Sequence, residues 1–142
     1  MAIISNATTI ADAGAFSVGL GDMVLIKTLT ASSSSTLNFV DGSASVVLDS
    51  TYPIYKFEFI NIHPATNTAV FQFNMSTDNG SNYNVTKTTT MLLNEHDELN
   101  EYTTLAYSAS HDLAQSTSFQ TLVNYVGNGN DENTSGTLLI FN

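Results

Sequence analysis

The chain has no Cys, no Trp and no Arg, and it has only three Lys and two Pro among its 142 residues. The lack of Cys excludes disulfide frameworks and thiolate metal sites. The lack of Arg excludes bidentate contacts to phosphate or guanine, and a net charge of −10 repels a nucleic-acid backbone. We therefore predict no nucleic-acid partner, and the same charge disfavours binding to an anionic membrane surface.

Long apolar runs are also missing. No stretch approaches the roughly 20 apolar residues that a transmembrane helix needs, so we predict no membrane insertion. The first residues lack the basic and apolar regions of a secretory signal, and synthesis in a cytoplasm is expected. A hydrophobic content of 42% nevertheless supports a core, and 142 residues suit a single domain.

Short polar residues make up much of what is present: 16 Ser, 19 Thr and 15 Asn. Thr is favoured on the solvent faces of strands because it is β-branched. Residues 1–22 are rich in small residues and lack strong periodicity, so we expect an extended N-terminal arm or weak strand that docks on a partner, or else a frayed terminus. Residues 23–142 would then form the folded domain.

Alternation of apolar and polar residues is clearest at residues 55–62 and 70–75. A His-Pro pair begins the loop between these segments, and we predict that they form an antiparallel hairpin whose six large side chains anchor the core. The other predicted strands are residues 23–30, 36–40, 46–48, 83–93, 102–107, 119–126 and 137–141.

Turn and loop signals separate these segments. Asp41-Gly42 and the run Asp78-Asn79-Gly80-Ser81 are predicted turns. Residues 94–101 are predicted to form an acidic loop or a single helical turn, and residues 127–136 a long polar turn. Eight or so short strands without a long helix predict an all-β fold, namely an antiparallel β-sandwich that is jelly-roll-like and carries an extended N-terminal arm.

Two acidic runs are the candidate cation sites. Glu95 and Asp97 lie in the run NEHDELNE, and Asp131 and Glu132 lie in the run NGNDEN. Oxygen ligands of this kind suit Ca²⁺, but neither run has the ordered spacing of a calcium loop. We therefore predict solvated loops and no cofactor, with weak Ca²⁺ binding at these four residues as the alternative.

The same loops carry the candidate residues for glycan binding and for hydrolysis. An exposed Tyr beside Asn and carboxylate groups suits a sugar, so Tyr102, Glu98 and Asn130 are the glycan candidates; core packing is the alternative for Tyr. Nucleophile-elbow, P-loop and Rossmann motifs are missing. Glu95, Asp97 and Glu98 would be the plausible acids of a polysaccharide hydrolase, but we predict that the protein is not an enzyme.

Three stretches of the sequence, residues 48–90, 112–122 and 129–142, resemble a family of virion-associated proteins of marine and freshwater tailed bacteriophages. These proteins are described as structural or fibre-like. The resemblance begins at about Met23, and its most specific part is residues 55–84. It implies a jelly-roll-like domain on the particle surface and brings no catalytic residues with it.

The resemblance leads to a functional prediction. We expect a virion structural protein of the capsid-decoration or head-fibre type, a homo-oligomer, most simply a trimer, held to partners such as the major capsid protein by the N-terminal arm. Members of the family often continue past position 142 with further strands, so we expect either a compact version of the domain or a sheet that a neighbouring copy completes by β-augmentation. A tail-fibre module that binds host surface glycans is the alternative.

Overall fold

A computed structural model describes residues 3–5, 8–12, 15–16 and 23–142. The described residues contain strands and no helix, and each strand pair is antiparallel, which confirms the predicted all-β class. The strands are β1 (Ile3–Ser5), β2 (Thr8–Asp12), β3 (Ala15–Phe16), β4 (Ile54–Ile62), β5 (Ala69–Phe73), β6 (Leu92–His96), β7 (Thr103–Tyr107), β8 (Gln120–Val126) and β9 (Thr134–Phe141).

Three of the strands lie in the segment predicted to be an arm. β1 pairs with β2, and β2 pairs with β3, in a small antiparallel sheet. The pairing of Ile4 with Thr9 and of Ala11 with Phe16 sets its register. The other residues of the predicted arm, and with them its predicted docking on a partner, lie outside the described residues.

The remaining strands form three nested ribbons of two strands each. The outermost strands pair as β4 with β9, the next as β5 with β8, and the innermost as β6 with β7. In the first ribbon Tyr55 lies opposite Ile140 and Phe57 opposite Leu138. Alternation along β4 therefore places its aromatic residues on one face, as predicted from the sequence.

The predicted hairpin of residues 55–62 with residues 70–75 is wrong, although both segments are strands. The backbone takes positive φ angles at Asn61 (52°) and Thr68 (59°), on either side of the connecting loop. The register of the β4/β9 ladder shifts between Phe59 and Ile62, and β5 pairs with β8 rather than with β4. Instead, the rings of Phe59 and Phe71 meet edge to face, with 4.9 Å between their centroids.

Three further predicted strands, residues 23–30, 36–40 and 46–48, are also wrong because these segments have no strand partner in the described chain. The predicted Asp41-Gly42 turn between the second and third of these segments is confirmed. It explains in part why the segments on either side of it are not strands. The Asp41 carboxylate accepts a hydrogen bond from the Leu48 amide at 2.8 Å, and Val46 accepts one from the Gly42 amide at 3.0 Å. These local bonds occupy amides that a strand partner would otherwise use.

The segment predicted as a strand at residues 83–93 is a strand only at its end, where β6 begins. Before β6, the backbone pairs with residues 108–118 at isolated points, such as Lys87 with Ser116 and Thr89 with Leu113. A positive φ of 52° at Gln115 interrupts the ladder. β6 then extends to His96, so the predicted acidic loop is shorter than expected, whereas the predicted strands at β7, β8 and β9 are confirmed.

The predicted turn at residues 78–81 is confirmed. The Asp78 carboxylate accepts hydrogen bonds from the Ser76 hydroxyl at 2.6 Å and from the Asn82 amide groups at 2.8 and 2.7 Å. These bonds, first of all the one from Ser76, lower the pKa of Asp78 to about 2. Gly80 supplies the positive φ of 79° that the turn requires.

The core is small for a chain of this length. In the part of the chain from residue 23 onward, the buried residues are Val46, Tyr55, Lys87, Gln120 and Val126. No large side chain of the described residues is fully buried. A domain of this size ordinarily buries about two-thirds of its unfolded surface, so the single chain leaves an unusual share of its apolar side chains in contact with water.

Candidate interaction surface

The predicted acidic candidates of the first loop lie at the tip of the β6–β7 hairpin. Asp97 accepts hydrogen bonds from the backbone amides of Glu101 at 2.9 Å and Tyr102 at 3.1 Å, so its carboxylate holds the tip together. Glu98 and Tyr102 are exposed at this tip, and Tyr102 is 57% exposed. The tip therefore brings together two of the three glycan candidates.

The second acidic loop joins β8 to β9. Glu132 accepts a hydrogen bond from the Gly129 amide at 2.6 Å, and a Cβ atom at Gly127 would lie 2.2 Å from the Glu132 carboxylate. The His63 ring donates to the Gly129 carbonyl at 2.8 Å and so ties this loop to the β4–β5 loop. Asn130 lies here, exposed, and is not hydrogen-bonded to the β6–β7 tip.

The predicted cation candidates do not form one centre. Among the described residues, no group of three or more His, Asp or Glu side chains lies close enough to hold a metal ion. Asp97 and Glu132 instead accept backbone amides in their own loops. The Asp97 and Glu132 carboxylates therefore each have a structural role within their own loop.

A partly buried polar cluster around Asn74 connects three segments of the chain. The Asn74 amide donates to the carbonyls of Tyr83 at 2.7 Å and Thr117 at 3.0 Å. Its oxygen accepts from the Met75 amide at 2.9 Å and from the Lys87 ammonium at 2.5 Å. Burial lowers the pKa of Lys87, which also donates to the Val85 carbonyl at 2.7 Å. The sequence analysis did not identify this cluster as a candidate site. The signal for it was the alternation of Tyr83, Val85 and Lys87, which places the Lys side chain on an inward face.

A second cluster surrounds Gln120 and His111. The Gln120 amide donates to the His111 carbonyl at 3.0 Å and accepts from the Thr89 hydroxyl at 2.5 Å. The His111 ring contacts Ser108 at 2.8 Å through Nδ1 and Asn124 at 3.0 Å through Nε2. Through these contacts the His111 ring ties the turn after β7 to β8.

Exposed apolar side chains occupy one face of two ribbons. On the outer face of the β4/β9 ribbon, Ile54 and Phe141 lie opposite each other and are 48% and 71% exposed. On the β6/β7 ribbon, Leu92 lies opposite Tyr107, and these side chains and Leu105 are all more than half exposed. These faces, rather than the acidic loops, are the strongest candidate for an interaction surface.

The described residues contain no helix of the length and apolarity needed to cross a bilayer. Comparisons of the chain with models of known protein families, with curated proteins and with solved structures gave no significant match.

Proposed function

We propose that this chain is a non-catalytic structural module that assembles with copies of itself, most simply as a trimer, on the surface of a bacteriophage virion. The observation that carries the proposal is the mismatch between the small core and the large exposed apolar faces. Where a single chain leaves such faces in water, association with further chains removes them from solvent and stabilises the fold.

The ribbons themselves support assembly. An isolated two-stranded ribbon is marginally stable in water, and three or more strands or a packed face are needed for independent stability. Within the described residues, β4/β9, β5/β8 and β6/β7 each stand as a separate pair with unpaired outer edges. An open cleft of about 240 Å³, lined in part by Phe59, Phe71 and Leu122, lies beside the contact between the first two ribbons. A neighbouring copy would supply the missing strands and contacts.

The order of the pairs supports a jelly-roll-like arrangement. Outer strands pair with outer strands and inner with inner, as in a long hairpin that is wound into two layers. The edge-to-face contact of Phe59 with Phe71 brings one side chain of β4 against one side chain of β5. In a β-sandwich such contacts would extend along two sheets packed face to face.

The placement on a virion rests on the resemblance to phage virion proteins and on the composition. A net charge of −10 keeps many displayed copies soluble and repels nucleic acid. Decoration of the capsid or a place in a head fibre requires no catalytic group. In this proposal the N-terminal arm, residues 1–22, tethers the module to the major capsid protein or to a neighbouring copy.

Two measurements test the proposal. Light scattering coupled to size-exclusion chromatography of the purified chain should give a mass that is a multiple of 15.2 kDa, three times that value for a trimer. Immunogold labelling of purified particles with an antibody to the domain should place gold on the head. Particles without gold would overturn the virion assignment, and a monomer at micromolar concentration would overturn self-assembly.

A second candidate function, recognition of host glycans at a tail fibre, is favoured by the exposure of both Tyr102 and Glu98 at the β6–β7 tip. A planar ring next to a carboxylate suits the apolar face and hydroxyl groups of a sugar. A glycan array run with and without Ca²⁺ tests it directly. Binding that is lost in Tyr102→Ala but kept in Tyr125→Ala, another exposed Tyr, would support this function, whereas an array without hits would contradict it.

A further inference from the structure

We infer that Asn79 and Asn128 are sites of conversion to aspartate or isoaspartate, and that the fold restrains this reaction at both. Each is followed by Gly, and these are the two Asn-Gly pairs of the sequence. The side chains that restrain the reaction are Ser76 at the first pair and Glu132 at the second. The inference concerns the chemical durability of the chain, and it goes beyond the proposed assembly and does not depend on it.

An Asn-Gly pair is reactive because glycine has no Cβ atom, so its backbone nitrogen is little hindered. This nitrogen loses its proton to a solvent base and attacks the Cγ atom of the Asn side chain. A succinimide ring closes as the new N–Cγ bond forms, the Cγ–Nδ2 bond breaks, and Nδ2 takes up a proton and leaves as ammonia. Water then opens the ring at either carbonyl, which gives aspartate or isoaspartate. A hydrogen bond donated by the neutral amide to another acceptor disfavours the loss of its proton and keeps the nitrogen turned away from Cγ.

At the first pair, the Gly80 amide donates to the Ser76 hydroxyl oxygen at 3.0 Å. The hydroxyl donates its own proton to the Asp78 carboxylate at 2.6 Å, so a lone pair of the Ser76 oxygen faces the Gly80 amide. Glycine is required here, because its φ is 79° and an added Cβ atom would lie 2.9 Å from Val40. The turn therefore requires a reactive pair and at the same time binds the amide hydrogen of its nucleophile.

At the second pair, the Gly129 amide donates to the Glu132 carboxylate at 2.6 Å. A carboxylate beside the nitrogen also disfavours the amide anion, because like charges repel. The carbonyl of the same glycine accepts a hydrogen bond from the His63 ring at 2.8 Å, which fixes the residue from its other side. A Cβ atom at Gly127 or Gly129 would lie 2.2 or 2.8 Å from the Glu132 carboxylate, so a side chain at either position would displace it.

The two loops thus share one arrangement, although they lie far apart in the sequence and use different acceptors. Conversion would disrupt both, because isoaspartate inserts an extra carbon atom into the backbone next to the held amide. It would also add a negative charge to a chain that already carries −10. We therefore expect slow conversion in the folded chain and faster conversion wherever the acceptor is removed.

Mass spectrometry of peptides from the full chain measures conversion at each Asn as the mass change from amide to acid. The purified protein is incubated in mildly alkaline buffer, either folded or unfolded in guanidinium chloride, and then digested. Conversion of Asn79 and of Asn128 should be about tenfold slower in the folded chain, the factor that a hydrogen bond of ordinary strength represents. Equal rates in the two states at either Asn would overturn the inference.

Substitution of Glu132 tests the second acceptor. Glu132→Ala should speed conversion of Asn128 about tenfold and leave the rate at Asn79 unchanged. Asp131→Ala is the matched control, because it removes the same charge from a neighbouring exposed side chain. A Glu132→Ala protein in which Asn128 reacts no faster than in Asp131→Ala would overturn the inference. So would a slower reaction than in the wild type, which would make the carboxylate a general base.

Substitution of Ser76 tests the first acceptor independently. Ser76→Ala should speed conversion of Asn79 about fivefold. Asn82→Ala is the control, because the Asn82 side chain donates to the same Asp78 carboxylate at 2.7 Å but its loss leaves the Gly80 amide on Ser76. Equal acceleration in the two variants would mean that loosening of the turn, and not release of the amide, sets the rate, and it would overturn the inference.

Discussion

The Lys87 ammonium donates to the side-chain oxygen of Asn74 at 2.5 Å, and with this bond the Asn74 amide uses both of its donors and accepts twice. One amide thereby links the end of β5 to the segments around Tyr83 and Thr117. Since the described chain has so little fully buried apolar surface, such polar contacts carry a larger share of the local order than they would in an ordinary core.

The first prediction concerns Asn74 itself. Asn74→Asp places a carboxylate next to the Lys87 ammonium, and this change taken alone would strengthen the contact. The substitution also replaces the amide NH₂ group, which donates to two carbonyls, with an oxygen that faces the same two carbonyls. Because the repulsion and the two lost hydrogen bonds outweigh the new ion pair, we expect a loss of about 1–3 kcal/mol in the free energy of unfolding. Urea denaturation measures it.

Asn38→Asp is the matched control for this substitution, since Asn38 is exposed and the change in net charge is the same. Its free energy of unfolding should stay within about 0.5 kcal/mol of the wild type. A more stable Asn74→Asp protein would mean that the Lys87 contact dominates the cluster.

The second prediction concerns the pH dependence that Lys87 causes. Burial lowers its folded pKa below the ordinary value of 10.5, so the unfolded chain binds more protons between the two pKa values. The free energy of unfolding should therefore rise as pH increases toward 10.5 through that window, relative to Lys87→Met. Below the folded pKa the difference between the two proteins should be constant.

The comparison with Lys87→Met removes the titration of all other groups, Tyr107 included, because both proteins contain them. Denaturation at a series of pH values from 7 upward gives the difference directly. A difference that falls as pH rises would show that the folded state favours the charged ammonium, which would contradict the assigned effect of burial.

The third prediction tests the contact between the first two ribbons. Phe59 and Phe71 meet edge to face, so a double-mutant cycle with Phe59→Leu and Phe71→Leu should give a coupling energy of about 0.5–1.5 kcal/mol. The same cycle with Phe59→Leu and Phe141→Leu is the control, because Phe141 is 71% exposed and points to the outer face. Equal coupling in both cycles would argue against the contact.

The fourth prediction compares two glycines with positive φ. Gly42 (72°) faces open space, so Gly42→Ala should lose about 1 kcal/mol from the left-handed backbone alone. A Cβ atom at Gly80 (79°) would lie 2.9 Å from Val40 and 3.1 Å from the Tyr83 hydroxyl, so Gly80→Ala should lose about 1 kcal/mol more. Thermal denaturation of the two variants measures the difference, and equal losses would mean that the packing of Val40 against the turn is loose.

The sequence alone determined the all-β class, most of the later strands and the main turns. Period-two alternation predicts β4 and β5 because side chains on a strand point alternately to two sides. Asp78 and Gly80 predict a turn because their effects on the backbone are local, within a few residues of the chain. The acidic runs were also identified from residue types within a short stretch of sequence. In the structure, Asp97 and Glu132 accept hydrogen bonds from backbone amides within their own loops.

Only the tertiary structure decided which strands pair and which faces stay exposed. Alternation assigns residues to a side of a strand but does not name the partner strand, so β4 could be matched equally well to β5, its neighbour in sequence, or to β9, its partner in the fold. For the same reason the Asn74 cluster was not identified from the sequence. It depends in part on a contact between residues far apart in the chain, Asn74 and Thr117, where loop closure and packing, rather than local preference, determine the outcome.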